Sequence, residues 1–233
     1  MKKTVFLFVC MWLVSQAHAQ NSQVKTATVG QKISEFTLAT YQGGQFSMKD
    51  MKGKNVVFIV ARGKYADNHW CTICQYQYAE FSDLVLTRKI KEKYNLEIVF
   101  LMPYVKDSLV KWEKAFPSEM AKIESWKNPA HPENLSQGAK EWMEFTRTNY
   151  PLTFDFTNKK VPLPLPILVD DKQEVSKGLD LLRMEWDGGK TLQNIPTLFI
   201  IDKEGIVQFK YMSQSAADRP TSAYILRFIE KML

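Results

Sequence analysis

The chain has few cysteines: only three occur in 233 residues, and two of them, Cys71 and Cys74, are three positions apart. So few cysteines exclude a small scaffold held together by several disulfides. A bridge between two such close neighbours would also remove little entropy from the unfolded chain. Structure alone therefore gives a poor reason for the pair, and its spacing favours thiol–disulfide chemistry.

Concentrated positive charge is also lacking. The net charge is +6, but basic residues alternate with acidic ones, and no Arg/Lys run with interleaved aromatic residues occurs. Proteins that bind nucleic acids usually carry such a stripe. We therefore expect no nucleic-acid partner, and we interpret the charge as solvated surface.

Long apolar runs are lacking everywhere except at the beginning. Lys2 and Lys3 precede the apolar run from Thr4 to Val14, and Ala17-His18-Ala19 follows as a small-x-small cleavage site. This pattern predicts a secretory signal peptide in residues 1–19, removed after Ala19, with an uncleaved anchor as the alternative. We expect export to the periplasm or medium, no membrane span in the mature chain, and no other thiols there than the pair.

The pair lies in a predicted strand–helix–strand unit. The apolar residues Cys74, Tyr78, Phe81 and Val85 recur at helical spacing, and such a crossover joins two parallel strands. If the helix begins at Cys71, its unpaired N–H groups and positive dipole end favour the Cys71 thiolate. The unit comprises a buried strand at Asn55–Ala61, a loop at Arg62–His69, a helix from near Cys71 to near Lys93, and a strand at Leu96–Met102.

Residues from about 104 to 166 interrupt this pattern. Helices are predicted at Asp107–Phe116 and Ala139–Thr148, and the proline-rich stretch Val161–Pro166 favours extended backbone. The segment is too small for an independent core, so we interpret residues 20–233 as one domain with a helical insertion. We expect its aromatic residues to form a local core or, alternatively, a lid or docking surface beside the cysteines: Trp112, Phe116, Trp126, Trp142 and Phe145.

The remaining segments predict further strands and helices. They are a hairpin around Gly43-Gly44, strands at Ile167–Val169, Thr197–Ile201 and Ile206–Met212, and helices at Val175–Met184 and from near Thr221 onward.

Three motifs together give a resemblance to a known family: Trp70-Cys71-x-x-Cys74, Ile195-Pro196-Thr197 and the segment Phe199–Gly205. The sequence resembles the thioredoxin superfamily over most of residues 30–103 and 162–233. Within it, the sequence is most similar to the redoxin branch, which includes the alkyl hydroperoxide reductase/thiol-specific antioxidant group and exported thiol–disulfide interchange proteins. The resemblance implies a thioredoxin-like three-layer α/β/α fold with a central mixed sheet and an N-terminal β-hairpin extension.

The resemblance also implies a site. Pro196 would follow a cis bond beside the cysteines, and Ile195 would offer backbone groups to a substrate; alternatively, Pro196 would be an ordinary trans proline at the beginning of a strand. Trp70 would shape partner access or fill the core. Arg62 or Arg219 would stabilise the thiolate, as in peroxidase relatives, or would lie in solvent.

The sequence departs from the family in two places. The loop from Arg62 to His69 is longer than usual, and Thr72-Ile73 stands where thioredoxin has Gly-Pro.

We expect Cys71 to attack a disulfide of a protein partner and Cys74 to resolve the mixed disulfide. The partners would be protein thiols or disulfides and an unidentified electron donor or acceptor, with no cofactor besides the Cys71–Cys74 disulfide. A peroxiredoxin-like peroxidase is the alternative, although Lys64 and Asn68 replace the Pro and Thr of the motif Pro-x-x-x-Thr-x-x-Cys. A third possibility is a binding module without enzymatic activity. Zinc held with His69 and His131 is less favoured because only one Cys-x-x-Cys occurs.

Overall fold

The computed structural model describes residues 25–232, so the predicted signal peptide and Cys10 lie outside the described residues. Numbered in chain order, the strands are β1 (Thr37–Thr40), β2 (Gln45–Ser47), β3 (Asn55–Val60), β4 (Lys64–Ala66), β5 (His69–Trp70), β6 (Leu96–Met102), β7 (Ile167–Val169), β8 (Leu182–Arg183), β9 (Gln193–Asn194), β10 (Thr197–Ile201) and β11 (Val207–Met212). The helices are α1 (Thr72–Arg88), α2 (Ile90–Lys93), α3 (Lys106–Lys114), α4 (Phe116–Lys127), α5 (Gln137–Asn149), α6 (Glu174–Gly178) and α7 (Ser222–Met232).

Seven strands form one mixed sheet in the order β11-β10-β3-β6-β7-β1-β2. The neighbours β3, β6 and β7 are parallel, and every other pair in the sheet is antiparallel. The strand–helix–strand prediction around the cysteines is confirmed, because α1 connects β3 to the parallel strand β6. The predicted N-terminal hairpin is confirmed as β1 and β2.

The sheet has a hydrophobic layer on each face. Side chains of β3 alternate between the layers, with Val57 and Ile59 on one face and Phe58 and Val60 on the other. The first layer contains α1, α7 and helices of the insertion, and the second contains α6 and the segment before β1. This arrangement is the mixed-sheet α/β fold that the sequence predicts.

The helix after the cysteines is shorter than predicted. It ends at Arg88 because Lys89 takes a left-handed conformation (φ 49°) and donates its N–H to the carbonyl of Val85. The separate helix α2 follows and turns Ile90 into the core.

The insertion contains three helices where two were predicted. Helix α4 was missed, although Pro117 lies in its first turn, a position where proline is favourable. Trp112 and Phe116 are fully buried and pack against Tyr78 of α1, with ring centroids 5.3 and 6.0 Å apart. The local-core prediction is therefore wrong for these two residues, which belong to the main core.

Two further predictions are corrected. The expected helix Val175–Met184 is shorter in the structure and ends at Gly178 of α6. Asp180 takes a left-handed conformation, and the chain then enters β8. The expected loop before the cysteines is the small antiparallel hairpin of β4 and β5, with Asn68 left-handed at its turn. Within residues 25–232, no helix combines the length and apolarity needed to span a membrane.

Candidate active site

Cys71 and Cys74 lie at the beginning of α1, as predicted. Cys71 is the N-cap residue with an extended backbone, and its N–H donates to the carbonyl of Gly63 at 2.7 Å. Cys74 lies one turn further and donates its N–H to the Cys71 carbonyl at 3.0 Å. Both thiols are free and almost enclosed, since Cys71 is 4% exposed and Cys74 0%. Cys71 is therefore the sulfur with the more direct route to solvent.

The two sulfurs titrate as one hydrogen-bonded pair. Burial raises the pKa of Cys74, but the hydrogen bond from Cys71, the charge of Arg219 and the backbone N–H groups of Gly63 and Arg62 lower it to about 6. The pKa of Cys71 is raised, first by its hydrogen bond to Cys74 and then by burial. The resting negative charge is thus on Cys74, whereas the helix-start argument predicted it on Cys71. The hydrogen bond between the two sulfurs contributes most to this difference, since it raises the pKa of Cys71 and lowers that of Cys74, and the backbone N–H groups of Gly63 and Arg62 lower the pKa of Cys74 further.

Arg219 is the guanidinium that acts on the cysteines. It precedes α7, and its positive charge lowers the pKa of both sulfurs. Its Nη1 donates to the carbonyls of Ser215 and Asp218 at 2.9 and 3.0 Å. Its Nε and Nη2 are buried and have no hydrogen-bond partner among residues 25–232. This geometry agrees with the thiolate-stabilising prediction and leaves two donors free.

Arg62 is buried, so the alternative that places it in solvent is wrong. Its guanidinium nevertheless does not act as predicted. Nε donates to Gln193 Oε1 at 2.7 Å, and Nη2 donates to the carbonyls of Trp186 and Asp187 at 3.0 and 3.3 Å. Arg62 reaches the cysteines through its backbone N–H instead.

Trp70 is buried before Cys71 and fills the core. Its ring packs edge-to-face on Tyr104 with centroids 5.5 Å apart, and Lys64 Nζ lies 5.2 and 5.3 Å from the two rings. This position agrees with the core-filling alternative for Trp70.

The expectation of a cis bond at Pro196 is wrong, because every peptide bond among the described residues is trans. The backbone groups of Ile195 are also occupied. Its N–H donates to the Leu181 carbonyl at 2.7 Å, and its carbonyl accepts from Thr197 Oγ1 at 3.1 Å. Leu181 and Thr197 thus occupy backbone groups that the resemblance assigned to a substrate. Pro196 does line a narrow cleft together with Arg219.

The comparisons with known proteins agree with this fold. Residues 29–124 match the model of the AhpC/TSA family, a stretch that contains both cysteines. Over this stretch the chain is similar to the redoxin branch of the thioredoxin superfamily, as the sequence motifs predict. It is a thiol oxidoreductase of the redoxin type. A comparison with curated proteins gives no significant match.

Three solved peroxiredoxin structures share the fold of this redoxin. A cysteine-to-serine mutant of peroxiredoxin 6 from Arenicola marina has 14% identity and a TM-score of 0.54, covering 88% of this chain and 73% of that one. The reduced 2-Cys peroxiredoxin of Plasmodium vivax has 15% identity and a TM-score of 0.53, covering 88% and 95%. The mitochondrial 2-Cys peroxiredoxin of Plasmodium falciparum has 16% identity and a TM-score of 0.55, covering 88% and 94%.

Sequence reasoning missed Tyr150, which follows α5 of the insertion and is buried near the redoxin's cysteines. Its hydroxyl donates to the Ala217 carbonyl at 3.1 Å, and its ring packs on Tyr76 with centroids 5.1 Å apart. Burial raises the pKa of Tyr150, Arg219 lowers it, and both cysteines raise it further. No sequence signal separates this tyrosine from the others, because only tertiary packing brings it here.

Tyr104 was missed for the same reason. Its hydroxyl donates to the Leu192 carbonyl at 2.8 Å and accepts the Lys64 N–H at 2.9 Å. Gly63 is also required here, because it has φ +83° and a Cβ on it would lie 2.3 Å from Tyr104 Cε2.

Two other candidates are separate from the cysteine pair. Glu80 of α1 is buried and accepts from the backbone and side chain of Ser222 at the beginning of α7, and burial raises its pKa to about 7. Within the described residues, no three His, Cys, Asp or Glu side chains are grouped closely enough to hold a metal ion. His131 pairs with Glu133 at 3.4 Å.

Proposed function

We propose that this redoxin exchanges its Cys71–Cys74 dithiol/disulfide with protein partners. The observation that carries the proposal is the pair itself: two hydrogen-bonded thiols at a helix start, with the pKa of Cys74 lowered to about 6 beside Arg219. One member is therefore a thiolate at neutral pH. The disulfide formed by the pair is the only redox group that the proposal needs.

The proposed reaction transfers two electrons. Cys71, the more exposed sulfur, passes its proton to Cys74 and attacks one sulfur of the partner's disulfide, releasing the other partner sulfur as a thiolate. Cys74 then loses its proton to that thiolate and attacks Cys71, which releases the second partner sulfur. The partner gains two thiols and the redoxin gains the Cys71–Cys74 disulfide; the reverse sequence oxidises a partner.

Replacing Cys74 with Ala tests this order of attack. We expect the Cys74→Ala variant to accumulate mixed disulfides with proteins of a cell-envelope extract, because the resolving sulfur is gone. The species should disappear with dithiothreitol, and the Cys71→Ala control should trap none. A Cys74→Ala variant without any dithiothreitol-sensitive partner would contradict the proposal.

A peroxidase is the second candidate, favoured by the peroxiredoxin folds and by the two unpartnered donors of Arg219. In this reaction Cys71 attacks a peroxide oxygen, becomes a sulfenic acid and releases water or an alcohol; Cys74 then forms the disulfide and releases water. Stopped-flow measurement of peroxide consumption by the reduced protein tests it. A rate no higher than that of free cysteine would exclude it.

Export remains part of the proposal, since it rests on residues 1–19 alone. It predicts that the chain recovered from the periplasmic fraction or the medium begins at Gln20. A full-length chain that stays in the cytoplasm would contradict it.

A further inference from the structure

The segment between β8 and β9 is hydrogen-bonded to the hairpin before the cysteines and to the loop before α7. We call residues 184–192 the strap. Thr191 Oγ1 donates to Asp67 Oδ1 of the β4–β5 turn at 3.3 Å, and the Ala216 N–H donates to Asp187 Oδ2 at 2.6 Å. Ala216 lies three residues before Arg219. The strap therefore joins the hairpin that precedes the cysteines to the loop that carries Arg219.

Arg62 holds the strap from inside. Its guanidinium donates to the carbonyls of Trp186 and Asp187 and to the amide of Gln193, and it lies 5.1 Å from the Trp186 ring centroid. Gln193 Nε2 in turn donates to the carbonyls of Gly189 and Thr191 at 3.1 and 3.0 Å. A buried guanidinium is costly unless its donors are satisfied. Here Gln193 accepts from Nε and the strap carbonyls accept from Nη2, without any carboxylate ion pair to Arg62 in the described part of the chain.

The backbone of Arg62 is fixed at the same time. Its carbonyl accepts the Asn194 N–H at 3.2 Å, and the N–H groups of Arg62 and Gly63 reach the sulfur of Cys74. The Gly63 carbonyl also accepts the Cys71 N–H. The residue that clamps the strap with its side chain thus presents its main chain to the sulfurs.

From these contacts we propose that Arg62 is a positioning residue, which clamps the strap so that the backbone N–H groups of Arg62 and Gly63 stay directed at Cys74. The proposal deepens the dithiol function proposed above and concerns the same pair. It assigns to Arg62 a role that depends on the forked geometry of the guanidinium and not on its positive charge. A lysine at this position would keep the positive charge but would lack the planar, forked set of N–H donors.

The variant Arg62→Lys separates these two roles. Thiolate absorbance near 240 nm, followed against pH in the reduced protein, reports the ionisation of the pair. Arg219, Tyr104 and Tyr150 are the other charged or titratable groups that act on the pair, and none of them changes in this variant. We expect the apparent pKa to rise from about 6 by about one unit, a tenfold change.

Arg183→Lys is the matched control. Arg183 pairs with Gln193 through the backbone of β8 and β9, which the substitution keeps, and its side chain is paired with the exposed Asp180. We expect its apparent pKa to equal that of the native protein. An Arg62→Lys variant with the native pKa would overturn the proposal, because the charge alone would then be sufficient.

A second variant tests the strap without changing Arg62. Asp187→Ala removes the acceptor of the Ala216 N–H and keeps both arginines. We expect the apparent pKa of the pair to rise above the native value, because a looser strap no longer holds the backbone N–H groups of Arg62 and Gly63 on Cys74. An unchanged pKa with Asp187→Ala would overturn the role of the strap, even if Arg62→Lys failed to fold. Neither measurement needs a partner protein, so both are independent of the trapping result.

Discussion

Two arginines flank the cysteine pair, and they use their hydrogen-bond donors in opposite ways. Arg62, at the end of β3, directs its guanidinium away from the sulfurs and into the strap. Arg219, before α7, keeps Nε and Nη2 unpartnered within the described residues and lowers the pKa of both cysteines by its charge. An arginine near a thiolate can therefore act by fixing the surrounding backbone or by its positive charge. Hydrogen bonds to other groups indicate the first role, and donors without partners indicate the second.

The largest expected effect is a loss of stability on the Arg62 side of the site, caused by a substitution at Gly63. In Gly63→Ala, the new Cβ would lie 2.3 Å from Tyr104 Cε2, and the backbone has φ +83°, which favours glycine. Overpacking and backbone strain together should reduce the free energy of unfolding by roughly 3–4 kcal/mol. Urea unfolding measures this loss, and we expect the thiolate pKa of the surviving fold to rise.

Gly53→Ala is the matched control for Gly63→Ala. Gly53 has φ +85° but no atom within 4 Å of the added Cβ, so only the backbone strain of about 1–2 kcal/mol should appear. Equal losses for the two variants would show that Tyr104 does not constrain the chain here.

The elements around the cysteines were predictable because they follow from local pattern. The buried run at β3, the helical spacing after Cys74 and the run at β6 gave a βαβ unit, and the structure has it. The boundary at Lys89 was not predictable, since a left-handed lysine is no common stop signal. The cis expectation at Pro196 came from the resemblance alone and has no signal in the local sequence, and the structure has a trans bond there.

The site was predictable only in part. The sequence named both arginines, but their spacing from Cys71 could not say which guanidinium faces the sulfurs. That choice depends on contacts with residues more than a hundred positions away, such as Gln193 with Arg62. Tyr150 also reaches the site through a tertiary contact, with Ala217, and no local sequence pattern predicts how the insertion packs there.

The second expected effect concerns the carboxyl group of Glu80, on the Arg219 side of the site. Glu80 and Arg219 both act on Tyr150, so an ionised Glu80 would offset part of the positive charge there. Burial raises the pKa of Glu80 from 4.5 to about 7. Between pH 4.5 and 7 the unfolded chain releases this proton while the folded protein keeps it. The free energy of unfolding should therefore fall as pH rises through this window, by on the order of 2–3 kcal/mol.

Glu80→Gln should remove this pH dependence, because glutamine keeps an acceptor for Ser222 and does not ionise. The difference between the native and variant unfolding curves, measured by urea from pH 4.5 to 7, isolates Glu80 from the cysteines. Parallel curves over this range would mean that Glu80 ionises in the folded protein as it does in the unfolded chain, so that its charge partly offsets that of Arg219.

The smallest expected effect is a change in the apparent pKa of the cysteine pair when Arg219 is replaced. Arg219→Leu removes the charge that lowers the pKa of both cysteines, so the apparent pKa of the pair should rise from about 6 by about one unit, which corresponds to ~1.4 kcal/mol. Alkylation at about pH 6 should slow accordingly, since less thiolate is present. Arg219→Lys should retain most of the lowered pKa, which is the opposite of the result expected for Arg62→Lys. If both lysine variants raised the pKa equally, Arg219 would also act through its geometry, and the two arginines would not differ in kind.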